Sequence, residues 1–228
     1  MQVLILKIFG KLQGTHLFSQ LPESVVTQYF SHCHTRRFRK KEELFGPEEH
    51  SDYIYLVIQG RIRVYLRYPN GKEFTLTILE PGAAYSGHTR AFGQALADGE
   101  IIFLPVQSFR KLLMEVPLFA MSVISVLGDS LKNSINTIES LVFKEVNKRL
   151  YQFVYSLALA GGGQETVPFQ INLGLTHQQI ATIVGSTRQT VNAFFNNLQK
   201  EGLITLAKDR LIIQNFNEIA RRAEDDNE

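Results

Sequence analysis

A short polar run near the carboxyl end of the chain carries side chains that could read DNA. An arginine can donate two hydrogen bonds to guanine in the major groove, and a glutamine can pair with adenine in the same groove. Arg188 and Gln189 are therefore the candidate base readers. Hydroxyl and ammonium groups suit phosphates, which position a protein without specifying the base sequence. The candidate DNA contacts, in chain order, are Ser186, Thr187, Arg188, Gln189, Asn192 and Lys208.

A helix, a tight turn and a second helix are predicted around this run. Thr176 and Gln179 have the spacing of a capping box, in which the hydroxyl accepts from the first turn and the amide side chain reaches back. Gly185 permits the turn, and Ser186 with Gln189 repeats the box ahead of the second helix. The apolar faces of the two helices are predicted at Ile180, Ala181, Val184, Val191, Phe194, Phe195 and Leu198.

The second helix is predicted to present Thr187, Arg188, Gln189 and Asn192 to solvent. Helix-turn-helix units usually bind DNA, although an ordinary helical hairpin with a solvated polar face shows the same pattern. The net charge between residues 175 and 213 is only mildly positive. A single copy should therefore bind DNA weakly, so dimerisation is expected.

A short β wing is predicted after the second helix. Gly202 ends that helix, and the short apolar-rich runs 204–206 and 211–213 are predicted to form two strands. The two runs flank Lys208 and Asp209, which form a tight connection. Lys208 is thereby placed at the tip of the wing, where it can contact a phosphate.

Length and cysteine usage indicate a regulator with more than one domain. The chain has 228 residues, a formal net charge of +2 and one cysteine, Cys33. This length suffices for two domains with their own cores. A single cysteine excludes an internal disulfide and indicates a reducing compartment, so we expect a cytoplasmic protein. The apolar run 3–9 is broken by Lys7 and is too short to span a bilayer, so no membrane association is expected.

The first half of the chain has a different pattern. Between residues 38 and 109 it shows short β runs, at 53–58, 62–68 and 74–79. The Pro-Asn-Gly sequence at 69–71 marks a hairpin turn. Several short strands with regular turns are typical of a small barrel or jelly roll. The predicted order is a β-rich domain, a long helix and a DNA-binding head, which is an α+β arrangement of sensor and output.

The long helix is predicted from near Pro117 through Leu141. Residues of its seam recur at spacings of four and three, and they are Ile124, Gly128, Leu131, Ile135, Ile138 and Val142. Such a seam pairs two chains in a coiled coil, so a homodimer would hold two recognition helices about 34 Å apart on a palindromic DNA site. Gly128 costs about 1 kcal/mol against alanine inside a helix and leaves a gap. Either a ligand occupies that gap, or it is a tolerated defect or a close helix approach.

In this order the elements resemble the CRP/FNR family of transcription regulators over nearly the whole chain. Ile-Leu-Glu-Pro-Gly at 78–82, His-Thr-Arg-Ala-Phe at 88–92 and Thr-Arg-Gln-Thr-Val at 187–191 look like the haem-containing carbon monoxide sensors of that family, as do residues 126–134 and 141–144. The resemblance implies RNA polymerase as a partner. Residues 83–96 lack the cap and phosphate motifs of the cyclic-nucleotide branch, which argues against cyclic AMP.

The domain organisation that this resemblance implies has three parts. An N-terminal β-roll (jelly-roll) effector domain would occupy residues 1–115. A dimerisation helix and hinge would follow at 116–143, with the hinge at Phe143 and Lys144. A winged helix-turn-helix domain would occupy 144–228.

For the sensor, the resemblance implies haem b, with its iron, and carbon monoxide. His88 matches the axial histidine of these sensors, and the amino group of Met1 would be the distal ligand that carbon monoxide displaces. Ser86 stands where they have a cysteine that ligates ferric haem, and serine is a poor substitute on iron. The apolar distal pocket would be lined by Ile124, Leu127, Gly128 and Leu131. Release of the distal ligand would repack the dimer helices and swing the base readers about the hinge.

Two other functions fit the same residues. One is a regulator of this fold that senses either nitric oxide, which also binds ferrous haem, or a non-haem small molecule, in which case Ser86 would mark the loss of the haem site. The other is a haem protein without a regulatory role, against which the intact DNA head and Arg188 argue. An enzyme is not expected, because the chain shows no nucleophile and base constellation, phosphate loop or metal-hydrolase spacing.

Overall fold

The computed structural model of the protein describes residues 10, 17–19, 21–30, 33–47, 52–86, 90–161, 168–207 and 210–224. The chain divides into two compact units, Met1–Ser134 and Ile135–Glu228. Three of the candidate residues named above, Met1, His88 and Lys208, lie outside the described residues. Their predicted roles therefore stay predictions.

Two antiparallel sheets build the first unit. Its described strands are β1 (His34–Phe38), β2 (Glu43–Phe45), β3 (Tyr53–Gln59), β4 (Ile62–Arg67), β5 (Glu73–Leu79), β6 (Ala84–Ser86), β7 (Phe92–Ala95) and β8 (Gly99–Pro105). One sheet has the order β1-β8-β3-β6 and the other has the order β2-β7-β4-β5. Neighbours distant in sequence, such as β1 and β8, are typical of a jelly roll. The predicted β-roll is confirmed.

The hairpin between β4 and β5 lies where the sequence predicts it. Arg67 pairs with Glu73 at the end of the ladder. The side chain of Asn70 accepts a hydrogen bond from the amide of Lys72 at 3.0 Å. Gly71 has a φ of +77°, a left-handed conformation that glycine adopts without strain.

Strand β3 is buried on both faces and joins two apolar clusters. Tyr55 and Val57 belong to the cluster between the two sheets. Leu56 and Ile58 alternate with them and belong to the second cluster, which also contains residues of α1 (Glu23–Phe30) and α2 (Val106–Glu115). Because successive side chains of a strand point to opposite faces, this single strand connects both parts of the core.

The expectation of β structure as far as residue 109 is wrong, because β8 ends at Pro105 and α2 begins at Val106. Phe109, Leu112, Leu113 and Val116 pack against the second cluster. Their spacing of three, one and three is the period of a helix rather than of a strand. A proline also has no backbone N–H with which to continue a strand ladder.

Helix α3 (Pro117–Phe143) confirms the predicted long helix. Phe119 is buried in the second cluster, and Val123 and Val126 pack against it. The large residues of the predicted seam are instead 54 to 65 % exposed, and they are Ile124, Leu131, Ile135, Ile138 and Val142. A continuous exposed apolar stripe of this length is characteristic of a surface that another chain covers.

Among the described residues, no single helix is both long and apolar enough to cross a bilayer. Helices α2 and α3 meet that criterion only as a pair, and the pair is bent by 113°.

The second unit combines helices with a three-stranded sheet. Its elements are α4 (Val146–Ala160), β9 (Phe169–Asn172), α5 (His177–Val184), α6 (Arg188–Lys200), β10 (Ile204–Ala207), β11 (Arg210–Ile213) and α7 (Phe216–Glu224). The strand order is β10-β11-β9, so β9 extends the predicted wing by one strand. The core lies among α4, α5, α6 and the sheet, with Leu150, Val154, Ile180, Phe195 and Leu211 fully buried.

Helix α7 is fastened to the rest of this unit by a charged network. Glu218 accepts hydrogen bonds from Arg221 at 2.8 Å and from Arg222 at 2.6 Å. These two bonds lower the pKa of Glu218 from 4.5 to about 2. Arg222 also donates to the hydroxyl of Tyr151 at 2.6 Å and pairs with Glu201 at 2.7 Å. The network thus joins α7 to α4 and to the end of α6.

Candidate functional site

Helix α5 begins with the predicted capping box. The Thr176 hydroxyl accepts from the amide of Gln179 at 3.2 Å, and the Gln179 side chain accepts from the amide of Thr176 at 2.8 Å. Two amides that lack partners inside the helix are thereby satisfied. Ile180 and Ala181 are fully buried and Val184 is nearly so, which confirms the predicted apolar face.

The turn after α5 is closed by backbone hydrogen bonds. Gly185 has a φ of +65°, and its N–H donates to the carbonyl of Ala181. The N–H of Ser186 donates to the same carbonyl at 2.8 Å. This left-handed ending satisfies an orphan carbonyl of α5 and reverses the chain within two residues, as glycine at this position allows.

The predicted second capping box, formed by Ser186 and Gln189, is wrong. Thr187 is the capping residue, and its hydroxyl accepts from the amide of Thr190 at 3.2 Å. The physical reason is that the backbone of Ser186 is already committed to closing the turn behind it. The second helix therefore begins one residue later than the box predicts, at Arg188.

The first turn of α6 carries the candidate base readers. Arg188 and Gln189 are both exposed there, while Val191, Phe194, Phe195 and Leu198 are buried on the opposite side, as predicted. The amides and dipole of a helix amino terminus attract phosphate oxygens. An arginine and a glutamine at this position can therefore approach base edges while the backbone beside them approaches a phosphate.

Asn192 does not project freely into solvent, which contradicts the predicted orientation. Its side chain is partly buried, and its Oδ1 contacts Nδ1 of His177 at the start of α5. The His177 ring stacks on Phe195 at 5.1 Å with an interplanar angle of 12°. Asn192 and His177 thus fix the two helices relative to each other. A DNA contact by Asn192 stays a prediction and would require this pair to separate.

The wing is joined to α6 by a side chain that the sequence does not single out. Ile204 pairs with Ile213 and Ala207 with Arg210, so the hairpin has the predicted pairing. The Gln199 side chain accepts from the amide of Leu206 at 2.8 Å. This bond fixes the wing against the recognition helix.

The break between α3 and α4 coincides with the predicted hinge. Helix α3 ends at Phe143, and Lys144 and Glu145 separate it from α4. Phe143 is 81 % exposed, and Nζ of Lys144 donates to the Gln152 side chain at 3.3 Å. Two non-helical residues between two helices are sufficient to absorb a change of direction.

The candidate effector residues on α3 form an open apolar surface. Ile124, Leu127 and Leu131 are 61, 62 and 63 % exposed, and no atom lies within 4 Å of a Cβ built on Gly128. The seam is therefore accessible at the glycine.

The ligands available to a metal are limited in the described residues. They contain no cluster of three or more His, Cys, Asp or Glu residues that could hold an ion. Ser86 is half-buried and pairs with Ile54 in the β3–β6 ladder. Burial raises the pKa of the Cys33 thiol to about 12, which disfavours the thiolate form that binds iron.

Comparisons with known proteins match both units. A model named Crp-like helix-turn-helix domain matches residues 148–222, and one named cyclic nucleotide-binding domain matches residues 35–116. The structure of a CooA variant from Carboxydothermus hydrogenoformans is 33 % identical, covers 92 % of this chain and 94 % of its own, and has a TM-score of 0.80. An imidazole-bound form from the same organism, described as the CO-dependent transcription factor CooA, is 34 % identical over 92 % of this chain and 96 % of its own, with a TM-score of 0.51.

A sequence relative is more distant. The cAMP-activated global transcriptional regulator CRP of Pasteurella multocida is 28 % identical over 193 residues, which are 81 % of this chain and 92 % of that protein. These relatives are transcription regulators and not enzymes, in agreement with the expectation from sequence. The chain therefore belongs to the CRP/FNR family, and is a DNA-binding transcription regulator with a sensor domain like the cyclic nucleotide-binding domain.

Proposed function

We propose that the protein is a homodimeric regulator whose binding to a palindromic DNA site responds to carbon monoxide at a haem b held by His88. The observation that carries the DNA-binding part is the exposed pair Arg188 and Gln189 at the first turn of α6. The observation that supports the effector part is the open apolar surface around Gly128 on α3. RNA polymerase is the proposed partner at the promoter, and the cytoplasm is the proposed location.

Base reading is proposed for Arg188 and Gln189, and phosphate binding for Ser186, Thr187 and Lys208. A bidentate arginine discriminates its base by about 1 to 3 kcal/mol, whereas a phosphate contact carries no sequence information. Arg188→Ala should therefore abolish the preference at one base pair of the selected site. Lys208→Ala should weaken binding to every sequence equally. It should also reduce the slope of the logarithm of the binding constant against the logarithm of the salt concentration by about one, because one phosphate contact is lost.

The experiment compares these two variants on duplexes selected from a random pool by the wild-type chain. Affinity for single-base variants of the selected duplex is measured at several salt concentrations. Loss of discrimination at one position in Arg188→Ala alone supports the assignment. Unchanged sequence preference in that variant contradicts it.

Dimerisation through the α3 seam is proposed to supply the second recognition helix. CRP-family regulators act as dimers, and the seam exposes five large apolar side chains along one face of a 27-residue helix. Two-fold symmetry of the dimer requires two-fold symmetry in the DNA site. The selected duplex should therefore be palindromic, with half-sites about one helical turn apart.

His88 and the amino group of Met1 are the proposed axial ligands of haem. Haem iron supplies a coordination position at which an uncharged diatomic ligand can bind. Ile124, Leu127 and Leu131 would then exclude water from that ligand, and Gly128 would allow it to approach the helix backbone. A repacked seam would alter the direction of α3 at Phe143 and Lys144.

Absorption spectra of the protein reconstituted with haem test this assignment. The ferric, ferrous and carbon monoxide forms are compared for wild type, His88→Ala and, as a control, His34→Ala. His34 is an exposed histidine of β1, so its removal should leave the spectra unchanged. A ferrous spectrum that shifts with carbon monoxide and changes only in His88→Ala supports the proposal.

An alternative effector is favoured by one observation. Ser86 is a poor iron ligand, and the single cysteine of the sequence, Cys33, has a thiol pKa that burial raises to about 12. Failure to bind stoichiometric haem would indicate a regulator that senses a non-haem small molecule. Haem binding with nitric oxide as the activating gas would indicate a different signal at the same site. Haem binding without sequence-specific DNA binding would leave a haem protein without a regulatory role.

A further inference from the structure

Arg149, in the first turn of α4, reaches the turn of the helix-turn-helix. Its Nε donates to the carbonyl of Val184 at 2.8 Å, and its Nη2 donates to the carbonyl of Gly185 at 3.4 Å. These carbonyls belong to the last turn of α5 and to the residue that ends it. The carbonyls at the end of a helix lack partners within it and carry partial negative charge. A cation is therefore stabilised at this position.

The same guanidinium reaches the end of α3. Its Nη1 donates to the carbonyl of Lys144 and, at 3.5 Å, to the carbonyl of Ser140. Lys144 is one of the two residues of the hinge, and its own N–H donates to Ser140 at 3.1 Å. All four acceptors named for Arg149 are main-chain carbonyls, two at each of two helix ends.

We propose that Arg149 is a positioning residue that braces the hinge to the turn of the helix-turn-helix, so that both helix ends move as one body. An arginine can do this because its donors are held in a rigid planar fork. The three donors of a lysine sit on one nitrogen, which cannot reach both helix ends. Arg149→Lys therefore keeps the charge and removes the brace.

Transmission of a signal through this brace rests on the proposed function, whereas the brace itself does not. If the seam of α3 repacks when an effector binds, the direction of its last turn changes at Lys144. Arg149 would carry that change directly to Gly185, which lies three residues before the first residue of the recognition helix α6. Without the brace, the hinge could move and leave the recognition helix where it is.

Hydrogen exchange of the full-length chain tests the brace without DNA or effector. The amides of Lys144 and Ser186 report the two ends. The amide of Lys144 donates to the Ser140 carbonyl, which also accepts from Arg149, and the amide of Ser186 donates to the Ala181 carbonyl in the last turn of α5. In the wild type both amides should exchange at rates that respond equally to low denaturant, as members of one cooperative unit. In Arg149→Lys and Arg149→Met, exchange at Lys144 should accelerate at least tenfold and diverge from exchange at Ser186.

The control is Asn147→Ala, an exposed position in the same turn of α4. It should leave both exchange rates within twofold of the wild type. If the two amides stay coupled in Arg149→Lys, whether at unchanged or uniformly faster rates, Arg149 contributes only to stability and the proposal is wrong.

A DNA-binding measurement tests the role in the switch. The probe is a duplex selected from a random pool by the wild-type chain. Arg149→Lys should bind it at least tenfold more weakly while preferring the same bases, since the readers are intact but misplaced. Equal affinity would overturn the role in the switch. If the wild type selects no duplex, the proposed function fails, and hydrogen exchange alone still decides whether the brace exists.

Discussion

Truncation of one seam residue, Ile135→Ala, should separate the two chains of the dimer. Ile135 is 54 % exposed in the single chain, so about half of its side chain remains to be covered by a partner. Full burial of a large aliphatic side chain contributes about 1.5 to 3 kcal/mol, so the uncovered half contributes roughly 1 to 1.5 kcal/mol per chain. A symmetric dimer contains two copies, and each truncation also leaves a cavity.

The dimer should therefore be weakened by about 2 to 4 kcal/mol, which is a factor of roughly 30 to 800 in the dissociation constant. Sedimentation equilibrium over a dilution series measures this constant directly. The matched control is Asn136→Ala, the neighbouring exposed residue, which lies off the seam and should leave the constant unchanged. If Ile135→Ala and Asn136→Ala dissociate alike, the seam does not hold the dimer and the coiled-coil reasoning fails.

Four further substitutions probe the effector surface, the second helix cap and the charged network. Gly128→Leu should leave the fold of the chain intact, because no atom lies within 4 Å of the position that a Cβ would occupy at Gly128. The same substitution should abolish the carbon monoxide response in a gas titration of the haem-loaded protein. Thr187→Ala should lower the free energy of unfolding by urea by about 1 kcal/mol, whereas Ser186→Ala should leave it almost unchanged. A larger loss in Ser186→Ala than in Thr187→Ala would show that Ser186 caps the helix, as the sequence pattern predicts. The pKa of Glu218 is lowered from 4.5 to about 2, so its hydrogen bonds stabilise α7 above pH 4.5 and are lost as pH falls toward 2. Glu218→Gln should accordingly loosen α7 in hydrogen exchange at pH 6 and match the wild type near pH 2; an unchanged difference between the two pH values would contradict the pKa assignment.

Much of the candidate DNA interface could be predicted because its signals are local. The capping box of Thr176 and Gln179, the left-handed glycine at 185 and the buried face of α6 all depend on residues within one or two helical turns. The effector residues were predicted differently. Gly128 was singled out by its place in a heptad pattern, whereas His88 and Ser86 came from a resemblance, because a single haem-binding histidine has no spacing of its own.

Other parts of the interface could not be predicted because their partners are distant in sequence. Asn192 has the chemistry of a base reader, and nothing in its neighbourhood indicates that His177 will hold its side chain. The sequence does not single out Arg149, because two of its four acceptors are backbone carbonyls 35 and 36 residues away. A backbone carbonyl is present in every residue, so the sequence carries no mark of which one an arginine will contact.

The sequence by itself determined the order of the β-rich domain, the long helix and the helix-turn-helix, the faces that the two helices of that motif bury, and the apolar seam of α3. It could do so because hydrophobic periodicity and turn residues act over a few positions. Only the tertiary structure decided which of two adjacent hydroxyls caps α6. Ser186 and Thr187 both have the right chemistry, and the choice fell to Thr187 because the amide of Ser186 is used to close the turn of α5. It also decided that a single guanidinium lies between two helix ends, since that position exists only once the helices have packed.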